Sequence, residues 1–120
     1  MILVDTSVWV DHLRAGDPRL IDALNADAVC THPFVLGELA CGNLRPRHQV
    51  LSLLGKLPVV PVASDAEALE FIERRSLMGR GIGYIDVHLL ASAVLSGTTR
   101  LWTRDRRLAT VTAAMDRLFE

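Results

Sequence analysis

Four acidic side chains lie beside apolar segments of this chain and could act together as a metal site. Asp5 directly follows the apolar run at residues 2–4, and Glu38 is the one polar side chain between residues 34 and 41. Asp86 and Asp105 occur beside later apolar segments. Carboxylate oxygens without paired Cys or His ligands favour Mg²⁺ or Mn²⁺ over zinc. Such a site suits phosphoryl chemistry, because the metal orients the phosphate and activates a water.

Each of these acids also has an ordinary structural explanation. Aspartate is a good helix N-cap, and Asp5 and Asp105 both precede predicted helices. Asp86 lies in the first turn of a predicted helix, where a negative charge interacts favourably with the helix dipole. Glu38 is harder to explain, because its predicted helix is apolar on every side and burying an unpaired carboxylate is costly. The four acids together therefore indicate a shared site more strongly than any one of them does.

The acids can meet only if strand ends and helix starts share one edge of the fold. Short apolar runs alternate with segments of helical periodicity, which is typical of an α/β fold with a parallel sheet covered on both faces. In such a fold, ligands bind at the carboxyl ends of the strands. The predicted strands lie near residues 2–4, 28–31, 59–62 and 101–103, and the predicted helices near 8–15, 18–24, 34–41, 50–57, 64–78, 84–96 and 105–115.

Length and composition restrict the class of protein. The 120 residues suffice for one domain, and its core should be aliphatic because half the residues are hydrophobic and only 5% are aromatic. We expect Trp9 and Trp102, which lie in apolar stretches, to pack in that core. The net charge of -1 gives no general attraction to polyanions, so these would need local basic patches.

The sequence also carries signals about location. No apolar run approaches the roughly 18 residues of a membrane-spanning helix. The N-terminus lacks the basic region of a signal peptide. Cys30 and Cys41 have neither metal-site nor redox-motif spacing, so we expect two reduced core cysteines and a cytoplasmic location.

The order and spacing of these motifs resemble the PIN-domain family, and more narrowly the VapC-type toxins of bacterial toxin–antitoxin pairs. The resemblance covers essentially the whole chain. It implies a single PIN-like domain over residues 1–120, a three-layer α/β fold with a central parallel sheet of four or five strands flanked by helices. The sequence differs from many members of that family at position 108, where it has leucine (Leu108) and they have phenylalanine. The residues that support the resemblance are Asp5-Thr6-Ser7, Glu38, Asp86 ahead of Leu89–Ala93, and Leu101–Asp105.

The resemblance implies an Mg²⁺- or Mn²⁺-dependent endoribonuclease that hydrolyses phosphodiester bonds of tRNA or rRNA. Its expected partners are the RNA substrate, a cognate VapB-type antitoxin and a second copy of the chain in a homodimer, with no membrane. The family's hydroxyl positions near the metal fall on Thr6 or Ser7 and on Thr103. Its catalytic and metal-binding acids fall on Asp5, Glu38, Asp86 and Asp105.

Arginines surround the glycine-rich segment at 79–83 and the last acid, and they could hold RNA phosphates or acidic groups of an antitoxin. An exposed arginine is more often simply solvated. Arg104 and Arg106 are the strongest candidates because they bracket Asp105, and Arg107 and Arg80 follow.

Two other functions remain compatible with strand-end acids. A phosphoacceptor receiver-like module also combines a small α/β fold with Mg²⁺, but it needs a lysine after a late strand. The one lysine, Lys56, precedes the third predicted strand. A catalytically silent PIN-like binding module is disfavoured by the presence of all four acids.

Overall fold

The computed structural model describes all residues from 1 to 120 and places three short strands among seven helices. The strands are β1 (Ile2–Val4), β2 (Val29–Cys30) and β3 (Arg100–Trp102). The helices are α1 (Thr6–Ala15), α2 (Pro18–Asn25), α3 (Pro33–Ala40), α4 (Arg47–Gly55), α5 (Asp65–Arg75), α6 (Tyr84–Ser96) and α7 (Arg106–Ala114). No helix is both long and apolar enough to traverse a membrane.

The sheet is parallel, and β1 lies at its centre in the order β2-β1-β3. In the register, Leu3 pairs with Cys30 on one side and with Leu101 on the other. The α/β prediction with a parallel sheet is therefore confirmed. Because all three strands run the same way, the segments that follow them reach the same edge of the sheet.

The sheet has three strands where four or five were expected, and isolated parallel bridges extend it on both sides. Thr31 bridges to Val59, and Leu101 bridges to Leu118. The predicted strand at 59–62 is reduced to the first of these bridges. Pro61 follows almost at once, and proline has no N–H group to continue the hydrogen-bond ladder.

The core is aliphatic and centred on β1. Leu3, Val4 and Leu101 are fully buried, and they belong to the main cluster of 15 buried residues. Trp9 and Trp102 are in the same cluster, which confirms their predicted role in packing. A smaller cluster of five residues, including residues of α5, α6 and α7, lies beside it. Two apolar clusters therefore hold the strand ends and the helix starts in place.

Helix limits follow local chemistry. α6 spans the predicted residues 84–96 and ends at Gly97, whose φ of 78° is the left-handed conformation that glycine adopts readily. α5 begins with a capping box, in which the Ser64 and Glu67 side chains each accept a hydrogen bond from the other residue's backbone N–H group. It ends at Arg75, earlier than the predicted Met78, because Ser76 adopts a left-handed conformation with φ 52°.

The two cysteines differ in environment. Cys30 is buried in β2, and burial raises the pKa of its thiol. Cys41 is exposed at the end of α3, so the expectation that both cysteines lie in the core was wrong for Cys41. The apolar character of α3 does not bury its C-cap residue, Cys41, which is exposed to solvent. Both thiols are free.

Candidate active site

Asp5 lies where β1 gives way to α1, and both of its carboxylate oxygens accept hydrogen bonds. The Thr6 N–H donates to Oδ1 at 2.8 Å, which makes Asp5 the N-cap of α1. The Ser7 and Thr103 hydroxyls donate to Oδ2 at 2.7 and 2.8 Å. The side chain is 7% exposed. These donors come from two chain segments, so they fix the carboxylate at the edge where β1 and β3 end.

Glu38 reaches this edge from α3. The Thr6 hydroxyl donates to its Oε1 at 2.8 Å, so Thr6 connects the helix that carries Glu38 to the start of α1. The residue is exposed, and the expectation of a carboxylate enclosed on an apolar helix was wrong. Pro33, Phe34 and Gly37 are exposed with it, because α3 lies at the surface and only Val35 and Leu39 are buried.

The Asp86 carboxyl, in the first turn of α6, is affected by the charges of the other three acids. Its Oδ2 accepts a hydrogen bond from the Gly83 N–H at 3.1 Å in the first turn of α6. Burial raises the pKa of the Asp86 carboxyl, the Gly83 hydrogen bond opposes that rise, and the charges of the other acids add to it. The charges that raise it further belong to Asp5, Asp105 and Glu38. Because the effect of a charge on a pKa falls off with distance, Asp5, Asp105 and Glu38 lie in the same region as Asp86.

Asp105 is the N-cap of α7, as its structural explanation predicted. Its Oδ1 accepts a hydrogen bond from the Leu108 N–H at 2.9 Å. Its own N–H donates to the Thr103 hydroxyl oxygen at 3.1 Å, and that hydroxyl in turn donates to Asp5. Thr103 therefore couples the two acids that follow strands. All three predicted hydroxyl residues, Thr6, Ser7 and Thr103, contact an acid of this cluster.

The donor set fits a hard divalent cation, although the acids do not form a closed ligand cage. Each of Glu38, Asp86 and Asp105 uses one carboxylate oxygen in a protein hydrogen bond and leaves the other without one. Oxygen donors of this kind suit Mg²⁺ or Mn²⁺. No three Asp, Glu, His or Cys side chains converge closely enough to constitute a complete metal site. The structure thus brings the acids to one edge with oxygens free to bind.

The Arg104 guanidinium forms ion pairs with two aspartates of the same chain. It lies 3.1 Å from Asp11 Oδ2 and 2.5 Å from Asp17 Oδ2. The backbone N–H of Arg104 donates to the Ser7 hydroxyl oxygen at 3.0 Å. Asp11 thus has a structural partner. By contrast, no acid forms an ion pair with Arg80, Arg106 or Arg107.

Two buried histidines near the N-termini of α3 and α6 form a feature that ligand spacing in the sequence did not reveal. His32 is fully buried and caps α3 by accepting the Phe34 N–H on Nδ1 at 2.9 Å. His88 is 1% exposed, and the two ring centroids are 6.3 Å apart. Burial, with a contribution from His88, lowers the pKa of His32 to about 4. The signal in the sequence that could have found His32 is the pair His32-Pro33, because proline is common at the first position of a helix.

His32 should make the protein less stable in mild acid. Because its folded pKa is about 4 against 6.5 for an unperturbed histidine, the unfolded chain binds the proton first as the pH falls below 6.5. The contribution is complete above pH 6.5 and is lost down to about pH 4, at a cost of about 2 kcal/mol between pH 7 and pH 5. Urea unfolding of wild type and His32→Asn at both pH values measures it.

Asparagine retains a capping oxygen but does not titrate, which makes His32→Asn the appropriate variant. The free energy of unfolding of this variant should fall less than that of wild type between pH 7 and pH 5. Equal losses in the two proteins would show that His32 is not the group responsible.

Comparison with known proteins gives consistent matches along the chain. The PIN domain family matches residues 2–114. Ribonuclease VapC32 of Mycobacterium tuberculosis, from strains CDC 1551 / Oshkosh and H37Rv, is 52% identical over 108 residues, which are 90% of this chain and 87% of the relative. The crystal structure of PAE2754 from Pyrobaculum aerophilum superposes with a TM-score of 0.69 at 16% identity. It covers 98% of this chain and 87% of that one, and this likeness concerns the fold.

Proposed function

The chain belongs to the PIN-domain family, and from that premise we propose that it is a VapC-type endoribonuclease whose acidic edge binds Mg²⁺ or Mn²⁺. The observation that supports this most directly is the convergence of the acids: the Thr103 hydroxyl joins Asp5 to Asp105, and the charges of Asp5, Asp105 and Glu38 add to burial in raising the pKa of Asp86. We assign the metal-binding and catalytic roles to the four acids already described, Asp5, Glu38, Asp86 and Asp105.

The side chains around the acids have separate tasks in this proposal. Ser7 and Thr103 donate to Asp5 and hold its carboxylate in one orientation. Thr6 holds Glu38 in the same way. A divalent cation bound by the acids would activate the attacking water and offset negative charge that develops on the phosphate. In other proteins, removing a group that orients a metal ligand in this way lowers metal affinity or activity by about 10–100-fold.

The substrate is a phosphodiester chain, which the acidic edge alone would repel. Arginines at the same edge can offset that repulsion, because guanidinium groups bind phosphate through paired N–H donors. Arg80, Arg106 and Arg107 have no ion pair and are exposed, so they are available for this role. Arg104 is a weaker candidate than the sequence suggested, since Asp11 and Asp17 already neutralise it. The choice between tRNA and rRNA stays open.

The VapC relationship also supports a VapB-type antitoxin and a homodimer as partners, in the cytoplasm where RNA is available. Several large apolar side chains are exposed on this chain. Leu53 is 66% exposed, and Val59 and Leu69 are each 58% exposed. We further propose that residues 1–120 form one PIN-like domain.

Cleavage of RNA by the purified, antitoxin-free protein tests the proposal. Total cellular RNA incubated with the protein and Mn²⁺ should give discrete fragments with 5′-phosphate and 3′-hydroxyl ends. Mapping those ends would identify the target and the cleavage site. If folded protein cleaves no RNA pool with either Mn²⁺ or Mg²⁺, the nuclease proposal fails and the binding-module alternative gains support.

A further inference from the structure

The loop at residues 79–83 and the start of α7 meet through one close contact. Gly81 has φ 79°, and the side chain of Arg107 lies directly over it. A Cβ atom added at Gly81 would be 2.6 Å from Arg107 Cδ and 2.9 Å from Nη1. These separations are too short for any side chain at position 81 unless Arg107 moves. Because Gly81 has no side chain, the Arg107 side chain can occupy the space above it, which we call the seat of Arg107.

The position of this arginine relates it to two acids. Arg107 is two residues beyond Asp105 on α7, and Gly81 is five residues before Asp86 on the loop that enters α6. The guanidinium thus lies between the segments that deliver these acids. It nevertheless forms no ion pair with either of them, nor with any other acid. A cation that lies near these acids but pairs with none of them is available for an anion from outside.

Arg104 provides a comparison, because it is an arginine of the same region whose charge is used within the protein. Its side chain is 43% exposed and its guanidinium contacts two aspartates, so little of its charge remains for a ligand. Arg107 contacts glycine backbone and solvent instead. We propose that Arg107, seated on Gly81, is a binding residue for an RNA backbone phosphate next to the cleaved bond. This inference rests on the proposed ribonuclease function and assigns a substrate contact to one residue.

The physical basis is preorganisation together with charge. A planar guanidinium binds phosphate through two parallel N–H donors, and a charge-assisted bond of this kind contributes more than a neutral one. The Gly81 backbone occupies the space on one side of the Arg107 side chain, so fewer rotamers are open to it and less conformational entropy is lost when RNA binds. RNA is favoured over an acidic peptide because the site lies at the edge where the scissile phosphate must approach.

The glycine loop supplies its own matched control. Gly79 and Gly81 have similar positive φ values, 71° and 79°, so alanine strains the backbone comparably at either position. Nothing lies within 4 Å of a Cβ at Gly79, whereas at Gly81 it would displace Arg107. A difference between Gly79→Ala and Gly81→Ala therefore reports on the arginine rather than on loop strain.

The experiment measures RNA binding independently of cleavage. Fluorescence anisotropy of a labelled RNA, in EDTA and at two salt concentrations, gives Kd for wild type, both alanine variants, Arg107→Ala and Arg107→Lys. Arg107→Ala should weaken binding about tenfold, and the slope of log affinity against log salt should fall by about one. Gly81→Ala should weaken it more than Gly79→Ala does, and in the Arg107→Ala background it should add no more than Gly79→Ala does. Arg107→Lys should keep the salt slope with lower affinity.

Several results would overturn the assignment. RNA affinity and salt slope unchanged in Arg107→Ala would do so, as would equal effects of the two glycine variants or no RNA binding by wild type. Reduced binding of an acidic peptide by Arg107→Ala with RNA binding intact would assign the arginine to a protein partner instead. Wild type that binds RNA through Arg107 but does not cleave it would refute the ribonuclease function and leave Arg107 as an RNA-phosphate contact without a cleaved bond beside it.

Discussion

Asp5→Asn should abolish RNA cleavage while leaving the fold intact. The variant loses the negative charge that would bind the cation, yet it keeps an oxygen to accept the Thr6 N–H and cap α1. The Ser7 and Thr103 hydroxyls can rotate and accept hydrogen bonds from the new amide. Loss of ligand-orienting contacts alone costs about 10–100-fold, so loss of a ligand should cost at least about 100-fold. Cleavage rates at equal Mn²⁺ and urea unfolding curves measure the two effects separately.

Asp11→Asn is the matched control for this prediction. It removes the same charge from the same helix, but Asp11 is paired with Arg104 and lies outside the acidic cluster. We expect this variant to keep cleavage of the same order as wild type. If Asp5→Asn instead unfolds the chain, capping is the main role of Asp5; if it stays folded and active, Asp5 is not a ligand.

Mn²⁺ should stabilise the wild-type protein strongly and Asp86→Asn only weakly. A ligand that binds the folded state alone adds about 2.7 kcal/mol to the free energy of unfolding when present at 100 times its Kd. Removing one of the acids should raise that Kd and so reduce the gain at the same Mn²⁺ concentration. Urea unfolding with EDTA and with excess Mn²⁺ measures both values for each protein.

In EDTA the order of stability should be equal or reversed. Burial and three neighbouring charges raise the pKa of Asp86 in the folded state, so its ionised form opposes folding at neutral pH. Asparagine removes that cost and can still accept the Gly83 N–H. Asp86→Asn should therefore be at least as stable as wild type without metal. Equal stabilisation of both proteins by Mn²⁺ would mean that the cation binds elsewhere.

The sequence could predict the edge at which the acids meet because backbone topology determines it. An apolar run that ends in Asp5 predicts a buried strand, and a parallel sheet places all strand ends on one side. The helix at 84–96 was predictable because it begins after a glycine-rich loop and ends at Gly97, so Asp86 falls in its first turn. These features depend on local pattern and the direction of the chain.

The remaining features depend on contacts between distant residues. Ion pairing of Arg104 with Asp17 joins residues 87 positions apart, and no local pattern reports such a contact. The exposure of Glu38 depends on which face of α3 the rest of the protein covers. The weak strand near Val59 was overestimated because its β-branched residues outweighed the effect of Pro61.

The buried pair His32 and His88 was missed for a related reason. The two residues lie 56 positions apart in the sequence and meet only because α3 and α6 start near each other. Similarly, the contact of Arg107 with Gly81 requires the loop at 79–83 to approach the start of α7, and the glycines at 79 and 81 look alike in the sequence. Only the packed structure separates their roles.

The central claim, that the acidic edge is a metal-dependent nuclease site, is tested most directly by comparing RNA cleavage by wild type and Asp86→Asn with Mn²⁺ and with EDTA. The same RNA and the same protein preparation protocol should be used throughout. We predict discrete fragments from wild type with Mn²⁺ and none in the other three reactions. Cleavage that survives either the substitution or the chelator would contradict the claim and place the activity outside this cluster of acids.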